Sequence, residues 1–201
     1  MKPLLDRGGS GPEDEDDDFR PGARRSAQAV ARRCLVLGCV AASLEFSPGY
    51  FSDWLRDEGL WEELSPREVA LLTAEEPSRR QKIDAAWRSE SLQVMLWALG
   101  KIAEMCPLTK QVAPRNLLKV MPEAESDTRA FVAASRLRPD AVIDAELERM
   151  VNAHWQLRNE QAYPDEKAEP MIAGVVMERH HALEWMVNFN DEPWDEVSTN
   201  T

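Results

Sequence analysis

The sequence predicts an all-α protein, a compact single-domain helical bundle of about six to eight helices over residues 24–201, preceded by a disordered acidic N-terminal arm over residues 1–23. Three observations carry this. Apolar residues recur at steps of three and four, proline and glycine punctuate the chain between those stretches, and strand signals are nearly absent, with no alternating Val/Ile/Thr runs and no Asn-Gly turns.

The arm contains Gly8-Gly9-Ser10-Gly11-Pro12 and the acidic run Glu13 to Asp18, with too little apolar surface to offset the entropy of ordering it. A first helix starts at Ser26, with Val30, Cys34, Leu37, Ala41 and Leu44 on one stripe, and is expected at the centre of the core. Ser47-Pro48 restarts the chain as a shorter helix carrying Phe51, Trp54 and Leu55, stopped near Gly59. Ser65-Pro66-Arg67-Glu68 reads as a capping box with proline in the first turn. Pro77-Ser78 opens a long helix over about 79–99, ended by Gly100. Pro107, Pro114, Pro122 and the polar run Glu123 to Asp127 leave the next stretch irregular or short-helical. Pro139 starts a helix to about Ala162, residues 163–170 form a linker, and Met171 to Phe189 is the last helix before a tail.

Charge and length bound the function. Of 201 residues, 36 are acidic and 24 basic, a net charge of −12, which opposes nonspecific nucleic-acid binding because phosphate contacts need a basic surface. No apolar run approaches the roughly 20 residues of a membrane helix, and Asp6 and Arg7 interrupt any signal-like start. The expectation is a cytoplasmic protein with no nucleic-acid or membrane partner and no cofactor, and with a protein partner as one option; the oligomeric state is not encoded legibly. Cys34, Cys39 and Cys106 lack the spacing of a zinc site or disulfide framework and read as small buried hydrophobes.

Projecting the three best helices at 100° per residue places polar groups inside apolar stripes. Glu90 falls among Ile83, Trp87, Val94 and Trp97; His154 among Ile143, Leu147, Met150 and Leu157, with Arg158 at the shoulder; His180 among Ile172, Val176, Leu183 and Val187, with Arg179 beside it. Buried ionised groups need partners, so these side chains are expected to meet. Three readings stay open: a hydrogen-bonded network fixing helix register, a small-molecule or catalytic pocket, and stripe-edge residues facing water. In a pocket, Glu90, His154 and His180 are the acid/base candidates and Arg158, Arg179 and Trp87 the ligand-binding ones. Two histidines and a carboxylate could hold a metal, but no tight ligand spacing supports it, so no metal site is assigned. Glu178-x-x-His181 lacks the second copy of a di-iron bundle, and Glu178 reads as solvated. No nucleophile elbow, phosphate loop, dinucleotide fingerprint or His-Glu-x-x-His occurs. Seven tryptophans are expected mainly in the core; Trp194, in a polar tail, either docks that tail or anchors a partner. Arg24, Arg25, Arg32 and Arg33 cluster at the start of the first helix, where the acidic run could screen them.

Several segments together resemble the bacterial domain of unknown function 4272 family. They are Trp87-Arg88-x-Glu90, Trp97-Ala98-Leu99-Gly100, Arg138-Pro139, His154-Trp155-x-x-Arg158, Glu178-Arg179-His180-x-Ala182-Leu183-x-Trp185 and the ending Trp194-Asp195-Glu196-Val197-Ser198-Thr199-Asn200-Thr201. The resemblance runs from about Arg24 to the C-terminus and implies a compact helical bacterial domain with no established activity. At Met177 and Ser89 the chain departs from the family's tyrosines. Two function classes follow: a non-enzymatic binding or regulatory protein of the immunity or accessory type, and an enzyme acting on a small anionic substrate through the Glu/His/Arg groups.

Overall fold

The computed structural model describes residues 22–46, 49–122, 128–162, 170–188 and 191–199, and the expected arm up to residue 21 lies outside them. The described residues form eight α-helices, with no strand: α1 (Ala27–Ala42), α2 (Tyr50–Asp57), α3 (Pro66–Leu72), α4 (Arg79–Ala98), α5 (Pro114–Leu118), α6 (Thr128–Ala134), α7 (Asp140–Ala162) and α8 (Ala173–Val187). Short 3-10 turns occupy Ser43–Glu45, Trp61–Glu63 and Trp194–Glu196.

Local chemistry sets the helix starts. Ser26 accepts from the Ala29 N–H, and Ser65 and Ser78 each form complete capping boxes, with Glu68 and Gln81 returning bonds to the cap backbone. At the end of α4, Gly100 takes φ +67°, and the Lys101 N–H closes back on the Leu96 carbonyl at 2.8 Å. Arg138 then covers carbonyls at and just past the end of that helix, donating from Nε to Trp97 O at 2.6 Å and from Nη2 to Ile102 O at 3.0 Å. A cation at a helix C-terminus also complements its dipole.

Helix α1 is the centre of the fold, as its apolar stripe implies. Val30, Ala31, Cys34 and Leu37 join the larger core with α4, α7 and α8, while Leu35, Val36, Cys39 and Val40 join a second core with Phe51 and Leu55 of α2 and Leu71 and Leu72 of α3. Segment Ala27–Glu45 does reach the length and mean hydropathy, 1.4, of a membrane-crossing helix, correcting the reading that no run approaches it; in the fold 67% of that stretch is buried inside the protein.

Other details differ from the sequence reading. Helix α6 was not anticipated, because seven residues are too few for periodicity to register. Ile83, expected within the α4 stripe, is exposed, whereas Ala85 and residues 89–98 are buried. Trp155 is 60% exposed rather than in the core, and Cys106 is half-buried, unlike Cys34 and Cys39.

Trp87 lies flat against the start of α8. A Cβ on Gly174 would stand 2.6 Å from Trp87 Cη2 and 2.8 Å from Cζ2 and Cζ3, atoms of a rigid ring. Gly174→Ala gains roughly 1 kcal/mol of helix propensity but forces an overpacking cost of about 1–3 kcal/mol. A net fall in the thermal unfolding midpoint is expected.

Candidate functional site

Glu90, in the fully buried half of α4, faces α8, and the partner it finds there is Arg179. Arg179 Nε donates to Glu90 Oε2 at 2.9 Å, and both side chains are 0% exposed. The other carboxylate oxygen, Oε1, accepts the Val112 N–H at 2.6 Å, and Arg179 Nη1 donates to the Cys106 carbonyl at 2.7 Å. The pair thus clamps the irregular segment before α5 onto α4 and α8. Gln93 adds to the clamp, its Oε1 accepting the Cys106 N–H at 2.6 Å.

The two imidazoles form a separate arrangement. His154 of α7 and His180 of α8 meet through their Nδ1 atoms at 3.1 Å, and His180 Nε2 stands 3.2 Å from Glu184 Oε1. With Nε2–H of His180 directed to Glu184, its Nδ1 is the acceptor and His154 donates. Burial pushes His154 below the ordinary imidazole value, and the neighbouring His180 and Arg158 act in the same direction. Arg158 is exposed one turn on. The structure therefore joins Glu90 to Arg179 and His154 to His180, while Trp87 packs on Gly174.

A third cluster was not read from the sequence. Arg33 of α1 sends Nη1 to Glu68 Oε2 and to the Glu63 carbonyl, both at 2.9 Å, and Nη2 to Glu68 Oε1. The capping box that starts α3 is what holds the Glu68 carboxylate in place, since Oε2 also accepts the Ser65 N–H at 2.9 Å. The Trp194 indole lies beneath Arg33, 4.0 Å from its guanidinium carbon, and meets His181 edge-on at a centroid distance of 4.5 Å. Trp194 thus docks the tail, and Asp195 Oδ2 accepts the Arg67 N–H in the first turn of α3 at 3.1 Å. Glu178 is partly exposed, as read, but also paired: it takes Arg88 at 3.0 Å and Ser91 at 2.9 Å. The basic cluster of the first helix is likewise engaged within the body, Arg24 with Asp144, Arg25 with the Glu192 carbonyl and Arg32 with Glu63; Glu13 to Asp18 lie outside the described residues.

His181 gives this cluster a pH signature. Burial, reinforced by Arg88, lowers its value from 6.5 to about 4, so the fold holds it neutral with Nε2–H on the Trp194 carbonyl at 2.9 Å. The unfolded chain takes up a proton below pH 6.5 that the fold refuses until about 4. Stability is therefore fully present above about pH 6.5 and falls by roughly 3 kcal/mol towards pH 4. Urea midpoints measured across that window should flatten in His181→Gln.

Among the described residues, the surface cavities include the following four. The first, about 190 Å³, lies between α1, α2 and the end of α5 and is lined by Leu35, Cys39, Phe46, Tyr50, Phe51 and Met121. The second, about 180 Å³, shares Phe46 and Phe51 with it and adds Leu44, Leu71, Leu72 and Lys82. The third, about 320 Å³, shares Gly49, Leu72 and Ala74 with the second and carries Asp53, Arg56 and Glu75. The fourth, about 290 Å³, is walled by charges from α3, α4 and α8: Arg67, Glu68, Arg80, Asp84, Arg88 and Glu178. None of these four is lined by Glu90, His154, Arg158, Arg179 or His180. The surface around Phe46 and Tyr50 was missed because Ser47-Pro48 reads as a helix boundary; Leu44, Phe46, Tyr50 and Phe51 crowded around that break was the available signal.

Fold and site together define an all-α protein whose conspicuous ionisable groups are locked into helix-to-helix pairs beside an apolar, aromatic-ridged surface. The chain belongs to the family described as Domain of unknown function (DUF4272), whose model matches residues 17–197. No curated protein and no solved structure matches it.

Proposed function

We propose that this chain is a non-catalytic binding protein of the cytoplasm, where its free cysteines suit a reducing environment. The observation that carries the reading is the closure of the Glu90–Arg179 pair. Both groups are fully buried, and a general acid or base must come within hydrogen-bond reach of a substrate proton. His154 and His180 are turned on each other, and among the described residues no group of three or more His, Cys, Asp or Glu side chains could hold a metal ion. Binding capacity lies instead on the aromatic surface, where Phe46 and Tyr50 are 51% and 44% exposed and stacked at 5.3 Å. Large exposed apolar patches mark interaction sites.

Affinity capture on the full chain, with mass spectrometry of both protein and small-molecule companions, tests the reading. A companion held by the native chain and lost with Phe46→Asp supports it. Conversion of a small anionic companion by the native chain, abolished in Glu90→Gln at unchanged fold, overturns it.

A further inference from the structure

The first cavity differs in its lining from the other three: no charged side chain borders it. Burial pushes the Cys39 thiol up, so its sulfur meets the space as a neutral, polarisable atom. Phe46 and Phe51, in edge contact at 5.1 Å between centroids, form a ridge shared with the second cavity. In the second and third cavities Asp53 and Glu75 balance Arg56 and Lys82, and Asp53 already holds Arg56 at 3.3 Å. Neither the first cavity nor its neighbours therefore select a charged occupant.

Volume sets the size of what fits. About 150 Å³ takes one benzene ring, and sites for drug-sized ligands begin at about 300 Å³. At about 190 Å³ the first cavity lies between the two, with room for one substituted ring or two fused rings. Its floor belongs to the core, where Leu35, Cys39 and Phe51 are buried, while Phe46 and Tyr50 stand half exposed at its mouth. A ligand seated there takes both its own apolar surface and that of the two rings out of water.

The lining also selects for a ring. Phe46, Tyr50, Phe51 and Trp54 make up four of its eleven residues. The first three already contact one another, stacked at 5.3 Å and edge-on at 5.1 and 5.0 Å. Aromatic rings attract a further ring by the same edge-on and offset geometries, at about 4.5–7 Å between centroids. Met121 adds a thioether, which favours ring contacts and, being unbranched, adapts to the outline of what it meets. Gly38 makes room for it within α1, since a Cβ at that position would stand 2.5 Å from Met121 Cε and 2.8 Å from Sδ.

We infer that the first cavity binds a small neutral aromatic molecule, one substituted ring or two fused rings, held among Phe46, Tyr50, Phe51 and the Met121 thioether. The inference rests on the non-catalytic binding reading above and names the ligand's chemistry.

The test uses the full chain with methyl-labelled Met, Leu and Ile, and follows its NMR spectrum during titration with indole and with benzyl alcohol. Both probes are expected to shift the Met121, Leu35 and Leu118 methyls to saturation, with a Kd of about 1 mM or tighter, and to leave Ile83, which lies outside the cavity, unmoved. Benzoate and benzylammonium, charged counterparts of benzyl alcohol, should bind at least about tenfold more weakly, because the lining offers no charge to replace their hydration. Cyclohexylmethanol, the saturated counterpart, should bind about threefold more weakly or worse for want of ring–ring contacts. Ala42→Phe, which fills the cavity from α1, should abolish the shifts. Phe46→Ala with Tyr50→Ala removes only half-exposed rings, keeps the fold, and should weaken indole at least about tenfold. The absence of saturable shifts, equal binding of the neutral and charged probes or of the aromatic and saturated ones, or undiminished binding in the ring variant overturns the inference. So does binding of an N-acetyl-phenylalanyl peptide amide with no binding of the free rings. None of these outcomes touches the non-catalytic reading, which falls only on turnover dependent on Glu90.

Discussion

Glu90→Gln is expected to lower the unfolding free energy by about 3–5 kcal/mol, because it leaves the Arg179 guanidinium charged at a fully buried position. Glutamine preserves the shape and still offers an acceptor to the Val112 N–H, so the loss isolates charge from packing. The reciprocal change should look different. Glu90→Leu combined with Arg179→Met removes both charges and fills the space with apolar atoms, and replacing a buried pair in this way is commonly neutral or stabilising. Urea denaturation of the native chain, Glu90→Gln and the double variant measures all three. The double variant should regain most of the stability, short of the bonds to Val112 N and Cys106 O that tether the segment before α5. An unshifted midpoint for Glu90→Gln would mean that the carboxylate is not needed structurally and would return it to the list of chemical candidates.

The α4 and α8 stripes show why part of this centre was legible. A projection at 100° per residue reports which way a side chain points, so Glu90, Arg179, His154 and His180 stood out as polar groups on core-facing arcs. It says nothing of which rod lies opposite, and the distribution of partners, Glu90 to Arg179 and His154 to His180, depends on tertiary placement. Ser65-x-x-Glu68 illustrates the same boundary. The capping box is a local pattern and forms as read, but the Glu68 carboxylate also meets Arg33 from a helix more than thirty residues earlier, which no local pattern encodes. The Phe46–Phe51 ridge was hidden for a different reason: it straddles a break between helices, where neither the 3.6-residue nor the two-residue period operates.

Trp194→Ala should cost about 3–5 kcal/mol, the range for emptying a buried tryptophan site. Five per cent exposure puts the indole among the core residues although it lies in a polar tail. Its faces and edges are covered by Arg33, with Arg88 at 5.5 Å, by His181, and by Trp185 at a centroid distance of 5.5 Å. A guanidinium over an indole from which water is excluded adds a cation–π contribution of up to about 2 kcal/mol that alanine cannot supply. Loss of the ring also uncovers His181, whose low value comes chiefly from burial. Its titration, followed by NMR, should therefore move from about 4 back towards 6.5 in Trp194→Ala. Trp155→Ala provides the control: at 60% exposure the same chemical change should stay within about 0.5 kcal/mol. A Trp194 variant with native stability and an unmoved His181 titration would show that the tail does not seal this cluster. The expected pairing, a large loss of stability together with a risen histidine value, ties the Trp194–Glu196 turn to the Arg33–Glu68 ion pair as one structural unit.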